Sequence, residues 1–176
     1  ANWVKDGKGP LLSHKLFEKK IAPHLKPGKP TVLVVIDNLR LDHWKAIQPT
    51  LSESFRVVED ETYYSILPTA TQYCRNAIFA GMMPIDIEQH FPLEWKNDDE
   101  EGGKNLYEER FLANQLRHLK LDKLKYQYIK ITNNDDAKVM EDNIHNCLTN
   151  DLTVIVYNFV DMLSHARTEM EVLKEL

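Results

Sequence analysis

The sequence predicts an α/β protein with a mostly parallel central sheet and helices on both faces. Two short runs, TVLVVID (31–37) and LTVIVYNFV (152–160), are apolar on both sides of a strand, as in the buried strands of parallel sheets. Segments with apolar residues three or four positions apart, the period of a helix, lie between these runs. Strands that alternate with helices in this order are typical of a sheet covered on both faces.

Further strands are predicted from weaker patterns. YQYIKIT (126–132) follows a helical segment and is predicted to be a strand. SFRVVEDETYYSI (54–66) is predicted to be a second, less buried strand region. Because TVLVVID is apolar throughout, we expect it to be a central strand of the sheet.

Helices are predicted at four places. LLSHKLFEKKIAPHL (11–25) has apolar residues at helical spacing, and ATQYCRNAIFAG (70–81) predicts a short helix that ends at its glycine. LYEERFLANQLRHL (106–119) predicts a longer helix, and the cluster NNDD (133–136) predicts the cap of another. We expect residues 1–30 to form a helical lead-in or linker and the main domain to begin at residue 31.

The composition restricts the class of protein. The 176 residues are 43% hydrophobic, which fits one domain with a sizeable core. Basic side chains number 22 against 27 acidic ones, and the net charge of −5 offers no broad cationic surface for duplex nucleic acid. The longest apolar runs are shorter than the roughly 20 residues that a membrane span needs. We therefore predict no membrane span. The sequence begins without a signal-peptide pattern and Cys74 and Cys147 form no close pair, so we predict a cytoplasmic protein.

Acidic and hydroxyl side chains are predicted to gather at one edge of the sheet. Asp37 and Asp161 each follow an apolar strand, and parallel sheets bind ligands beyond the carboxyl ends of their strands. Thr71 lies in the first turn of a predicted helix, whose positive end favours anions. Structural alternatives remain open: Asp37 as the cap of a helix near NLRLDHWKAI (38–47), Thr71 as an N-cap, and Asp161 with His165 as an incidental pair.

Three motifs together carry a family resemblance. They are VVIDNLRLDHW (34–44), ILPTATQYCRNAIFAGMMP (66–84) and NFVDMLSHARTEM (158–170). As a set they resemble the PglZ domain of the alkaline phosphatase superfamily, in particular the version attached to response regulators of the type IX secretion and gliding system. The middle motif is also similar to nucleotide pyrophosphatase/phosphodiesterases, in which a proline-threonine-x-threonine run supplies the nucleophile.

The resemblance implies an alkaline phosphatase-like fold and a role for each residue. Thr71 would be the nucleophile and, with Asp37, a ligand of one divalent metal, usually zinc. Asp161 and His165 would hold a second metal. Thr69 is interpreted as structural, fixing the loop behind Pro68.

The function that the resemblance implies is a metal-dependent phosphoryl-transfer hydrolase, a phosphodiesterase rather than a monoesterase, acting as the effector domain of a response regulator. Its cofactor would be two zinc ions, with manganese as an alternative. Its substrate would be a phosphodiester or nucleotide-type compound, and protein partners would be secretion-machinery components or a sigma factor.

The chemistry of these residue types agrees with such a site. A threonine hydroxyl is barely ionised near neutral pH, and a catalytic zinc lowers even the pKa of its bound water to about 7. Oxygen donors with an imidazole suit zinc or manganese better than a thiolate site, and Cys74 is predicted to be a small core residue. Arg75, one turn after Thr71, either binds a phosphate oxygen or forms a salt bridge to an acidic neighbour such as Glu61.

The family pattern requires more metal ligands than this sequence supplies. A later Asp–His pair and another late histidine are expected, yet the eleven residues after His165 contain neither residue type. We therefore expect residues 31–176 to be the N-terminal portion of a PglZ domain that is incomplete at its C-terminus, with a receiver domain preceding it in a longer protein. The 176 residues alone are expected to bind metal weakly and to show little or no turnover.

Two rival functions follow from the same sequence. A receiver domain would use Asp37 and Asn38 as its acidic pocket, but no aspartate follows at the position of a phosphoacceptor. A non-catalytic effector domain would keep the phosphatase-like fold and act through protein partners. A pure binding module does not need a nucleophile at a helix N-terminus, so Thr71 favours the enzyme.

Overall fold

The computed structural model describes residues 9–95, 104–158 and 160. They divide into two compact units: residues up to 25 and from 61 to 124 form the first, and residues 26 to 60 and from 125 onward form the second. Among these described residues, no helix combines the length and the apolar composition that crossing a membrane requires. The main elements are, in chain order, α1 (Ser13–Leu16), β1 (Thr31–Ile36), α2 (Leu41–Ser52), α3 (Thr71–Ala80), α4 (Pro84–His90), α5 (Glu108–His118), β2 (Tyr126–Ile131), α6 (Asn134–Asp142) and β3 (Leu152–Tyr157).

The second unit contains a parallel sheet, and its described strands lie in the order β1–β3–β2. The register aligns the carboxyl ends of these strands at Ile36, Tyr157 and Ile131. On one face, Ile131 packs with Ile155 and with Cys147 of a short helical turn that precedes β3. The predicted α/β class with a parallel sheet is confirmed.

The prediction that TVLVVID is a central strand of the sheet is wrong for the described strands. Within the described sheet the central strand is β3, where residues 152–156 are all buried. The strand β1 is at an edge, and Val32 and Val34 on one of its faces are 42% and 52% exposed. An apolar strand sequence predicts burial, but the position of a strand depends on its partners, which lie more than a hundred residues away along the chain.

The predicted strand over residues 54–66 is also wrong. The backbone from residue 55 to residue 63 forms no strand, and one isolated bridge joins Tyr64 to Leu12. Phe55 and Val58 are 69% and 83% exposed. Strand propensity measures how well side chains fit a pleated, half-buried surface, and this segment has no such surface among the described residues.

One carboxylate joins the segments that enter the strands. Asp151, directly before β3, accepts hydrogen bonds from the backbone N–H of Lys125 at 2.8 Å and of Gly28 at 2.6 Å. Lys125 directly precedes β2, and Gly28 leads into β1 in a left-handed conformation (φ 74°). These backbone hydrogen bonds, the one from Lys125 first, hold the pKa of Asp151 below its usual range. The contact therefore stabilises the sheet at neutral pH and weakens on acidification.

The first unit is a helical cluster around α3. Its predicted helices are confirmed, although the 11–25 segment is α-helical only over Ser13–Leu16 and continues as π and 3₁₀ turns. The predicted terminator Gly81 follows α3 with φ 66°. Phe79, Phe111 and Leu112 are fully buried, and they join α3 to α5 in one core.

His14 gives the first unit a predicted pH dependence. Its imidazole is buried, and its Nδ1 atom has no hydrogen-bond partner among the described residues. Burial lowers the pKa of His14 below 6.5; Lys15 adds to this effect and Asp86 opposes it. With a lowered pKa in the folded state, His14 binds a proton more readily in the unfolded state. Its contribution to the free energy of unfolding is therefore fully present above about pH 6.5 and is lost as the pH decreases below that value.

Replacing His14 with Leu should remove this component of the pH dependence. We expect the urea midpoint of the wild-type protein to fall more steeply between about pH 7.5 and pH 5.5 than that of the variant. Equal slopes in the two proteins would show that His14 is not the group responsible.

Candidate functional site

Asp37 is the first residue after β1, at the carboxyl edge of the sheet. Its backbone N–H donates a hydrogen bond to the carbonyl of Tyr157 at 3.0 Å, and its side chain is half-buried. The following helix α2 begins at Leu41 and has Arg40 at its N-cap position. Asp37 therefore does not cap this helix, and the capping alternative is wrong.

Polar residues also follow the two other described strands. Asn158 comes directly after β3, and its backbone N–H donates to the carbonyl of Ile131 at 2.9 Å. Thr132 comes directly after β2. Asp37, Asn158 and Thr132 thus form a polar row across the carboxyl edge of the sheet. The predicted strand over residues 152–160 placed Asn158 inside the strand, whereas β3 ends at Tyr157, so this residue was not recognised as a candidate.

The end of β2 is fixed by a reciprocal cap. Asn133 is the N-cap of α6, and its side chain accepts from the backbone N–H of Asp136 at 2.8 Å. The Asp136 carboxylate accepts from the backbone N–H of Thr132 at 3.0 Å and from its hydroxyl at 2.8 Å. These bonds hold the pKa of Asp136 below its usual range. The arrangement resembles a capping box, confirms the predicted cap in NNDD, and explains why this loop end is ordered.

Thr71 is the first residue of α3, in the first unit. The N-cap position belongs to Ala70, and the helix has no side-chain cap hydrogen bond. The alternative that Thr71 is an N-cap is therefore wrong. Thr71 is half-buried at the more exposed end of the helix, whereas all residues from 75 to 80 are buried. The helix thus anchors its carboxyl half in the core and presents Thr71 at the opposite end.

Cys74 links α3 to the loop that precedes it. The Ser65 hydroxyl donates to its sulfur at 2.9 Å, and the thiol lies 3.4 Å from the carbonyl oxygens of Ile66 and Pro68. Cys74 is half-buried, so it is a partner of the loop as well as a packing residue. Thr69 is exposed in the same loop. Its predicted supporting role stays a prediction.

Arg75 forms a buried ion pair with Glu108 of α5. Its Nε donates to the Glu108 carboxylate, and the two side chains are 5% and 1% exposed. Of the two alternatives for Arg75, the structure thus shows a salt bridge, although with Glu108 instead of Glu61, which pairs with Lys20. Phosphate binding by Arg75 stays a prediction.

The predicted metal ligands are divided between the two units and a part of the chain that the structure does not describe. Asp37 belongs to the second unit and Thr71 to the first. Asp161 and His165 lie outside the described residues. That Asp37 and Thr71 share one metal ion therefore stays a prediction.

The polar row fits a divalent metal by the chemistry of its donors. It contains the Asp37 carboxylate, a ligand type of divalent cations, beside a neutral amide and a hydroxyl. Within residues 9–95, 104–158 and 160, no group of three or more His, Cys, Asp or Glu side chains could hold a metal ion. The described residues thus supply part of a ligand set.

Two of the cavities among the described residues have linings without the described metal-site candidates. One cavity in the first unit measures about 400 Å³, and its lining includes Lys15, Gln115 and His118. One in the second unit measures about 340 Å³ beside β2 and α6, with Met140 and Cys147 in its wall. Neither lining includes Asp37 or Thr71.

Parallel strands with aligned carboxyl ends and polar residues directly beyond them define an α/β domain of the class that binds ligands at this edge. A family model described as the BREX system PglZ alkaline phosphatase-like domain matches residues 16–176. The chain therefore belongs to the PglZ alkaline phosphatase-like family, a phosphoesterase-type hydrolase family. The predicted PglZ resemblance and alkaline phosphatase-like fold are confirmed. No curated protein matches the sequence.

Proposed function

We propose that this chain belongs to a metal-dependent phosphoryl-transfer hydrolase that uses Thr71 as its nucleophile. The observation that carries the proposal is the position of Thr71, the first residue of a ten-residue helix whose N-cap is an alanine without a capping side chain. Membership of an alkaline phosphatase-like family supports a hydrolase that acts on phosphate esters.

The helix gives Thr71 a suitable environment. The first-turn N–H groups of a helix and its macrodipole favour an anion, and a phosphoryl group at this position would gain from both. The Thr71 oxygen would form a bond to phosphorus while the bond to the leaving oxygen breaks, and water would then release the threonine. The buried pair of Arg75 with Glu108 and the contacts of Cys74 hold the helix in place.

Metal ligation is the second part of the proposal. Asp37 and Thr71 would hold one divalent ion, and Asp161 with His165 would hold another. Zinc is the proposed metal, with manganese as the alternative. A bound divalent ion supplies positive charge that makes a hydroxyl more acidic and stabilises a leaving oxygen.

The substrate and context follow from the family resemblance. We propose a phosphodiester or nucleotide-type substrate, because the motif around Thr71 is similar to that of nucleotide-cleaving phosphodiesterases. The response-regulator context, with secretion-machinery or sigma-factor partners, is part of the same proposal. A cytoplasmic location is proposed with it.

Replacing Thr71 with Ala tests the nucleophile. We expect hydrolysis of bis(p-nitrophenyl) phosphate by the full-length protein with zinc to fall at least about 10³-fold, because no other group replaces the attacking oxygen. The matched control is Thr69→Ala, which removes an exposed hydroxyl two residues earlier and should leave the rate within a few-fold of wild type. A Thr71→Ala protein that hydrolyses the substrate as fast as the control would overturn the proposal.

A non-catalytic effector domain is the second candidate, and the surface of the second unit favours it. The helix α2 has no buried residue, and Leu41 is 71% exposed. Phe55 and Val58 in the following segment are also largely exposed. Exposed apolar groups mark an interaction surface where they form a contiguous patch, and this candidate proposes that these residues do. Under this candidate Thr71→Ala would leave partner binding intact and no hydrolysis would be found in either protein.

A further inference from the structure

The polar row places one amide beside the proposed metal ligand. The strands β1 and β3 are paired in register up to Ile36 and Tyr157, and the backbone bond from Asp37 to Tyr157 continues the ladder by one step. Asp37 and Asn158 are therefore lateral neighbours, one residue beyond the last register pair. Strands of a sheet lie about 4.8 Å apart, and register partners in a parallel pair face the same side.

The backbone on the other side of Asn158 is equally fixed. Its N–H donates to Ile131 of β2, and the preceding residue, Tyr157, accepts from Asp37 at the end of β1, so the backbone at the end of the central strand is fixed from both sides. Asn158 and Asp37 are both half-buried. A half-buried carboxylate next to a half-buried amide forms a natural donor–acceptor pair, because the amide NH₂ donates and the carboxylate only accepts.

We infer that Asn158 is a positioning residue for a divalent metal at Asp37: its side-chain amide orients the Asp37 carboxylate toward the ion. This inference rests on the proposed function. Residues that orient metal ligands typically contribute 10–100-fold to metal affinity. The residue belongs to the described sheet, so the inference depends on neither Asp161 nor His165.

Zinc titration calorimetry of the full-length protein tests this role. Asn158→Ala should weaken the affinity of the Asp37 site roughly 10–100-fold. Asn158→Asp keeps the shape but places a second carboxylate beside Asp37, so the metal-free protein should melt at a lower temperature and should gain more from zinc than the wild type does. This gain would show that position 158 lies beside the ion, whereas the loss of affinity in Asn158→Ala tests the role of the amide itself.

The chain offers a matched control at the other end of the same strand. Asn150, two residues before β3, is buried, and its amide donates to Gln127 at 3.2 Å and to the carbonyl of Asn146 at 3.3 Å. Asn150→Ala should lower stability without changing the zinc affinity. This variant separates the loss of an amide from the loss of metal binding.

Asp37→Ala distinguishes a failure of the proposed metal site from a failure of the role of Asn158. If Asp37→Ala abolishes a zinc site while both Asn158 variants bind zinc as the wild type does, the role of Asn158 is overturned and the proposed function stands. If Asp37→Ala binds zinc as the wild type does, the proposed metal site fails, and the role of Asn158 fails with it. Should Asn158→Ala not fold, the zinc affinity of Asn158→Ser, which also lacks the amide, decides the question.

Discussion

Replacing Glu108 with Ala should lower the free energy of unfolding by about 3–5 kcal/mol, the range found when one partner of a buried ion pair is removed. The Arg75 side chain is 5% exposed and would lose the carboxylate that its Nε contacts. Urea unfolding followed by circular dichroism measures this loss. The expected effect is large because an uncompensated buried charge is more costly than a missing packing contact.

Two variants make this prediction specific. Glu109→Ala removes the adjacent carboxylate of the same helical turn, which is exposed, and should change the free energy of unfolding by less than about 0.5 kcal/mol. The double variant Arg75→Met with Glu108→Leu replaces both charges with apolar groups and should recover most of the loss. If Glu108→Ala is no more destabilising than Glu109→Ala, the buried pair does not hold α3.

Gly81→Ala should be the second strongly destabilising change, by roughly 2–4 kcal/mol. Gly81 has φ 66°, and an added methyl group would lie 2.5 Å from Oε1 of Gln115. The Gln115 amide donates to the carbonyls of Ile78 at 2.9 Å and Phe79 at 2.8 Å. Moving this side chain would therefore break two hydrogen bonds at the end of α3. The cost of the backbone strain and the cost of displacing the Gln115 amide therefore both contribute to the loss of stability.

Gly28→Ala is the matched control for the backbone term. Gly28 also has positive φ, 74°, but no atom lies within 4 Å of an added methyl group. It should cost only the strain of the left-handed conformation, about 1–2 kcal/mol. Equal destabilisation by the two substitutions, measured by urea unfolding, would show that the approach of Gln115 to Gly81 has no energetic importance.

Local signals in the sequence predicted the elements that local physics determines. The helix Thr71–Ala80, with Gly81 directly after it, follows from helical spacing and from a glycine that tolerates positive φ. The cap in NNDD follows from short-range hydrogen bonding by Asn133. These features depend on residues within four positions of each other, so the sequence pattern contains the necessary information.

Features that depend on distant partners were not predicted. Arg75 and Glu108 are 33 positions apart, and the sequence offered no reason to prefer Glu108 to Glu61. The central position of β3 depends on pairing with both β1 and β2. Asn158 gained meaning only when the register placed it beside Asp37. Each of these depends on tertiary pairing, which apolar periodicity does not encode.

Mass spectrometry of the full-length protein, quenched in acid during turnover of a phosphodiester with zinc, tests the role of Thr71 most directly. We predict a phosphoester adduct whose fragmentation pattern places it on the Thr71 side chain, and we predict its loss in Thr71→Ala. An adduct on Thr69, or turnover that persists in Thr71→Ala with both threonines unmodified, would contradict the assignment of Thr71 as the nucleophile.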